Sequence, residues 1–349
     1  MDKLPAGRGV MTMIFYVGTY TRLGGPGIAV CSLSGNRLSL LGSELISDPT
    51  YVILSDDRQF LYSVSSDPAE SETSGAVAAY HIEGSRLVPM SRRGTGGAGP
   101  CHLCLSADGR FLYVANYHGG SLAVFPVTAS GAGEKIQFIQ HQGRSIHPER
   151  QQGPHVHQVS FLPGTHLLAV VDLGLDAVLT YAQDCATGLL RQVGRLDCVP
   201  GSGPRHLAYG LNDIAYLADE LGNKINVLRP QGQSFVRVQT LPTLPENWTG
   251  DSFCAAVRYI GRKVFVSNRG HNSLAVFDVL DDGQLQPAGV FPTGGGFPRD
   301  FFPLPDGQIL VAHQAGDVSL LCQNSSNEWV RAADPLPIPG AVCICPVGP

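Results

Sequence analysis

Short apolar strands recur along this chain at intervals near 50 residues, and no long helical pattern separates them. Phe15-Tyr16-Val17-Gly18 is followed by Leu61-Tyr62-Ser63-Val64, Leu112-Tyr113-Val114-Ala115 and Leu168-Ala169-Val170-Val171. Ala215-Tyr216-Leu217-Ala218, Val264-Phe265-Val266-Ser267 and Ile309-Leu310-Val311-Ala312 continue the series. Aligned on Val17, Val64, Val114, Val170, Leu217, Val266 and Val311, the copies lie 45 to 56 residues apart. Most are followed by a turn of small residues and another strand, as in Ser121-Leu122-Ala123-Val124-Phe125 and Ser273-Leu274-Ala275-Val276-Phe277. A period of this length made only of strands defines a β-propeller, and seven copies define seven blades. One twisted sheet of this size cannot bury both faces, so each blade must pack on its neighbours. No Trp-Asp dipeptide occurs, which excludes an ordinary WD40 array.

The register of the repeat predicts how the ring closes. A first strand precedes each copy from the second onward, for example His157-Gln158-Val159-Ser160-Phe161 and His206-Leu207-Ala208-Tyr209. The first copy has none upstream. An unpartnered strand, Ala341-Val342-Cys343-Ile344-Cys345, stands at the far end and is expected to complete the first blade. The reading is an all-β, seven-bladed propeller over residues 13–349, after a loose tail at 1–12. A polar insertion, Asp67 to Ser74, interrupts the second blade.

Gly 42 and Pro 25 suit many short strands and turns rather than helices. A charged fraction of 15% beside 43% hydrophobic residues marks a folded chain with a large core. The net charge of -5 argues against nucleic-acid binding, which needs a basic face. No run approaches 18 apolar residues, so no membrane-spanning helix is expected. Nine cysteines, an odd number, with no secretory leader before the first strand, are expected to be reduced and mostly buried in a cytoplasmic protein.

Two motifs have bland explanations. Gly94-Thr95-Gly96-Gly97-Ala98-Gly99 matches a dinucleotide fingerprint, but Pro100 and a strand follow, and that phosphate site needs a helix N-terminus. Cys101 and Cys104 flank two residues, yet i and i+3 on a strand face opposite ways, and no second pair exists for zinc. His155 and His157 are two apart, so an ideal strand would aim both imidazoles into one cavity. That spacing admits site chemistry, structural hydrogen bonding or a metal; no third ligand is evident, and no metal or other cofactor is expected. Glu220 and Arg269 end successive second strands, while Arg205 and His157 start first strands. In a propeller those ends share one face around the central channel, so four polar residues remote in sequence converge.

The segments QQGPHVHQVSF, GSGPRHLAY, DELGNKINVL, SNRGHNSLAVFDV and GGGFPRDF, in this order, resemble the lactonase family of seven-bladed propellers, over roughly residues 14 to 346. The resemblance implies lactone chemistry without a required metal. It also implies a catalytic set of His157, Arg205, Glu220 and Arg269, with His155 competing for the histidine position. Arg150, Asn116 and His206, together with His155, are expected to contact substrate. One departure is Val311-Ala312-His313-Gln314, where relatives often carry Asn before Gln. The implied activity is hydrolysis of a sugar lactone, most readily 6-phosphogluconolactone, so the expected partner is a small anionic lactone. A lactonising cycloisomerase of the muconate type and a non-catalytic scaffold that binds a protein on the same rim are the alternatives. A deep, charge-lined pocket would select an enzyme; a flat aromatic rim would select the scaffold.

Overall fold

A computed structural model describes residues 12–66 and 75–347. Most of the expected tail and the Asp67 to Ser74 insertion lie outside the described residues. The described chain forms seven antiparallel sheets of four or five strands, ordered outward from the central channel. Blade 5 is typical, with strands Pro204–Tyr209, Ala215–Asp219, Lys224–Gln231 and Ser234–Pro242 from inside to outside. Blade 1 is the exception. Its three outer strands come from the N-terminal region, and its inner strand is Ala341–Pro346, antiparallel to Thr12–Thr19. The expected closure is therefore present.

The second strands are apolar at consecutive positions because both faces of each sheet are covered. Tyr216 and Ala218 pack with Val264, Val266 and Phe277 of blade 6. Their neighbours Ala215 and Leu217 pack the other way, with Ala169 and Val171 of blade 4. Seven such apolar clusters occur among the described residues, one at each blade boundary. The cluster between blades 7 and 1 joins Leu310 and Leu320 to Phe15 and Val17. Burying one such side chain contributes about 1.5–3 kcal/mol. A polar tie reinforces closure: Asp300 takes a hydrogen bond from the Ile344 amide at 2.9 Å and pairs with Arg258 of blade 6 at 2.8 Å.

One irregularity of the inner strands decides where the functional side chains go. In blade 5, Pro204 pairs with Asp219 and His206 with Ala218, leaving Arg205 as an extra, bulged residue. The same bulge falls on Cys101 in blade 3, His157 in blade 4 and Arg299 in blade 7. A bulge interrupts side-chain alternation and re-aims one residue. Here it turns Cys101, His157 and Arg299 toward the cavity at the channel mouth and sets Arg205 behind it.

Candidate active site

That cavity measures about 450 Å³. Its wall includes Tyr20, Cys101, Tyr117, Arg150, His157 and Glu220, together with Arg22, Asp48, His118, Arg269, Phe297 and Arg299. A smaller cavity of about 20 Å³ shares Cys101, His157 and Arg299 with it and is further lined by Arg205 and His206.

Glu220 is the hub. Its carboxylate takes Arg150 Nη2 at 2.6 Å on one oxygen. The other oxygen takes Arg205 Nε at 2.9 Å and Arg269 Nη2 at 2.8 Å. Glu220 and Arg205 are each 3% exposed, whereas Arg150 is 35% exposed. Burial alone would raise the Glu220 pKa, but Arg269 and Arg205 outweigh it and hold the carboxyl well below its usual range. Burial, with Arg269 and Arg299 nearby, pulls the Arg205 guanidinium down, while Glu220 opposes that shift. A guanidinium stays cationic at neutral pH under such shifts.

Each member of the cluster has its own support. The Glu220 amide donates to Gly203 O at 2.6 Å, pinning the strand end to the Gly-Pro turn. Gly203 has φ 61°, the left-handed region that glycine enters without a Cβ penalty. Arg269 also donates to Cys254 O at 2.9 Å. Arg150 arrives on a long loop fastened at its start by His141, whose ring meets Asp172 at 2.7 Å and Tyr181 OH at 3.0 Å. Gln151 donates to Leu173 O at 2.8 Å, and Arg150 itself donates to Tyr117 OH at 3.0 Å.

His157 is buried beside this cluster. Burial and then Arg205 push its pKa well below 6.5, so the imidazole is neutral at neutral pH. Burial and Arg205 do the same to His206. Cys101 Sγ lies 4.0 Å from His157 Nδ1 and closer to backbone acceptors, at 3.3 Å from His157 O and 3.6 Å from Val156 O. Burial raises its pKa to about 12, so the group is a thiol and not a thiolate.

The structure thus brings His157, Arg150, Glu220 and Arg269 to one cavity wall, with Arg205 directly behind Glu220. His206 borders the smaller cavity only. His155 and Asn116, expected to contact substrate, line neither cavity. His155 precedes the strand, stacks on Tyr117 at 4.6 Å and directs Nδ1 to Tyr117 O at 2.9 Å. The bulge at His157 breaks the i, i+2 alternation on which a shared face depended. Asn116 is fully buried, and its amide donates to Ser121 Oγ at 3.1 Å. No group of three or more His, Cys, Asp or Glu able to hold a metal occurs among the described residues. All nine cysteines are free, three buried and six partly buried. No helix of the described residues is long and apolar enough to cross a membrane. A strand, not a helix, follows the glycine-rich segment 94–99.

Sequence reasoning missed Arg299, and a signal for it existed. Phe297-Pro298-Arg299-Asp300 repeats the pattern of Gly203-Pro204-Arg205-His206 two blades further on.

Fold and site define a seven-bladed propeller with a carboxylate–guanidinium cluster at the mouth of its channel. The chain belongs to the lactonase family of seven-bladed β-propellers, whose family model matches residues 14–345. It is 33% identical over 346 residues to the 6-phosphogluconolactonase of Bacillus subtilis strain 168, covering 95% of this chain and 97% of that protein. The structure of a periplasmic gluconolactonase from Pseudomonas aeruginosa superposes with a TM-score of 0.90 at 30% identity, covering 97% of this chain and 99% of that one. A Lactobacillus plantarum protein superposes with a TM-score of 0.89 at 31% identity, covering 97% of this chain and all of that one.

Proposed function

We propose that this protein hydrolyses a sugar lactone, with 6-phosphogluconolactone as the substrate that its site fits best. The observation that carries the reading is the buried Glu220 held by three guanidiniums beside the neutral imidazole of His157, at or directly behind one cavity of about 450 Å³. Four arginines and two carboxylates line the main cavity, so its wall carries excess positive charge although the chain is net negative. A concave, charge-lined cavity of this size favours an enzyme over a flat partner-binding rim.

Of the two groups able to take a proton from water, His157 is the better base. The Glu220 carboxylate is committed to three ion pairs and resists protonation. Water held against His157 attacks the lactone carbonyl carbon as the imidazole takes its proton. The carbonyl oxygen gains the negative charge, which a cationic wall stabilises. The ring C–O bond then breaks, and its oxygen leaves as a hydroxyl with the proton from His157. A positioned base contributes about 10²–10⁴ in rate, and losing one oxyanion donor costs about 3–4 kcal/mol. Glu220 serves as the clamp that fixes Arg150, Arg205 and Arg269. The free thiols suit a reducing compartment, and we place the reaction in the cytoplasm.

The test is a proton-release assay of the purified protein on a panel of phosphorylated and unphosphorylated lactones, with Arg205→Lys alongside. Lysine keeps the charge but loses the planar fork that holds Glu220 and reaches the His206 ring together. Turnover of 6-phosphogluconolactone that falls at least about tenfold in Arg205→Lys, with an unchanged melting temperature, supports the reading. No turnover of any lactone by the wild type refutes it.

A further inference from the structure

Blades 5 and 7 carry the same intrablade pair with one chemical difference. In blade 5 the bulged Arg205 donates to Glu220, which follows the second strand. In blade 7 the bulged Arg299 donates to Gln314, at the equivalent position, over 3.2 Å. An amide stands where blade 5 has a carboxylate. Among the described residues Arg299 has no carboxylate within ion-pair distance, whereas Arg22, Arg150, Arg205 and Arg269 each have one. Arg299 is partly exposed and borders both cavities. Tyr20 flanks it, with the ring centroid 5.3 Å from the guanidinium carbon.

The turn before Arg299 also departs from the repeat. Gly99 and Gly203 precede the inner-strand proline in blades 3 and 5 with φ of 55° and 61°. Blade 7 places Phe297 there at φ 56°, with its side chain exposed on the cavity wall. A non-glycine residue in this conformation is strained, and such strain persists where surrounding structure enforces it, often at functional sites. The phenyl ring walls the cavity beside Arg299.

We propose that Arg299 is the specificity-determining residue of this site, anchoring the phosphate monoester of the substrate while the Glu220 cluster addresses the lactone ring. This deepens the lactonase reading and rests on it. The chemistry follows from the charge balance. The three arginines on Glu220 share its one carboxylate, so the cluster stays net positive, but each has a donor committed to that carboxylate. Arg299 retains a full charge and free donors, and a guanidinium fork matches two phosphate oxygens. Blade 7 faces blades 3 and 4 across the channel, so a ligand spanning His157 and Arg299 places its ring and its anionic tail on opposite walls.

The experiment compares kcat/KM for 6-phosphogluconolactone and for gluconolactone in the wild type, Arg299→Gln and Gln314→Glu. Calorimetric titration with 6-phosphogluconate and with inorganic phosphate accompanies it. Arg299→Gln removes the charge; Gln314→Glu leaves Arg299 in place and gives it the carboxylate of blade 5. Both variants are expected to lower the phosphorylated-to-unphosphorylated selectivity ratio about tenfold to a hundredfold, through KM, and to weaken 6-phosphogluconate binding equally. Because the two variants alter different residues in the same direction, a folding failure in one leaves the other to decide. An unchanged ratio, or an equal loss on both lactones, overturns the proposal while leaving the hydrolase reading intact. Arg299-dependent binding of 6-phosphogluconate without lactone turnover by the wild type sinks the hydrolase reading and leaves the anion anchor standing. Absence of both turnover and binding removes both.

Discussion

Blades 3 and 5 share a backbone and differ in chemistry. Both inner strands start with Gly-Pro, both bulge at the next residue, and both second strands end at the cavity. Blade 3 fills those positions with Cys101 and Tyr117; blade 5 fills them with Arg205 and Glu220. The bulge in blade 3 therefore presents a neutral thiol and a phenol, and the one in blade 5 a buried ion pair. The residue after each bulge is a histidine, the buried His102 or the partly buried His206, and the two rings lie 5.6 Å apart edge to face. The repeat supplies identical mounting points, and the site arises from which blade carries charge.

The largest effect expected from breaking this asymmetry follows removal of the hub. Glu220→Gln leaves Arg150, Arg205 and Arg269 facing one another without their shared carboxylate. Removing one partner from a buried ion pair typically costs about 3–5 kcal/mol. The matching change in blade 3, Tyr117→Phe, removes one hydrogen bond to the partly exposed Arg150 and should cost about 1 kcal/mol. Urea-denaturation midpoints at constant m-value measure both. Equal costs for the two variants would show that the cluster is no more than a rim salt bridge.

An intermediate effect is expected from pH, and here the two blades should agree. Burial is the main cause that lowers both His102 and His206 well below the unfolded value of 6.5. Between the folded and unfolded pKa values the unfolded chain binds protons that the folded chain refuses, so stability falls as pH drops below 6.5. His157 adds to the same loss. Glu220, whose folded pKa is depressed below 4.5, extends it under more acidic conditions. Melting temperature should therefore decline from pH 6.5 downward, and His102→Gln should flatten the decline about as much as His206→Gln. A decline that starts only below pH 4.5 would contradict the neutral-histidine channel. In the same frame, the acid limb of kcat/KM should fall below pH 6.5, since His157 stays unprotonated there.

Much of this asymmetry is legible in the sequence, for a physical reason. Apolar runs on two-sided strands impose the period, and the period alone sets which residues share the rim; Glu220 and Arg269 stand three residues past their aligned Leu217 and Val266. Ring closure by Ala341–Pro346 follows from counting strands. The ideal alternation of a strand misplaces what lies at a bulge. His155 and His157 share a face only in an unbulged strand, so His155 lands against Tyr117 instead of in the cavity. Asn116 sits one residue before the rim position, and its side chain turns to Ser121. Arg299 went unnoticed because the Gly-Pro signal is replaced by Phe297-Pro298, which hides a turn of the same conformation. Nor could spacing reveal that Arg150, on a loop with no repeat equivalent, would reach Glu220 at 2.6 Å.

The smallest effect is expected at the blade 3 bulge itself. Cys101 occupies the backbone position of Arg205, touches the space beside His157 and lines both cavities. A cysteine next to an imidazole suggests a nucleophile–base pair, but the physical requirements for one are unmet. The sulfur is 4.0 Å from Nδ1 and donates to backbone carbonyls, so His157 is not drawing off its proton. Burial holds the thiol protonated, with a pKa near 12. Only the thiolate attacks an ester carbonyl at useful rates. Cys101→Ala should therefore leave kcat/KM for the lactone within about threefold of the wild type, the scale of a minor packing change at a partly buried wall, about 0.6 kcal/mol. Arg205→Lys, at the same bulge two blades away, should cost far more. Steady-state kinetics on both variants, with iodoacetamide treatment of the wild type as a chemical counterpart, measures the difference. Loss of turnover in Cys101→Ala comparable to that in Arg205→Lys, or a burst of acyl-enzyme trapped on Cys101, would transfer the chemistry from blade 5 to blade 3.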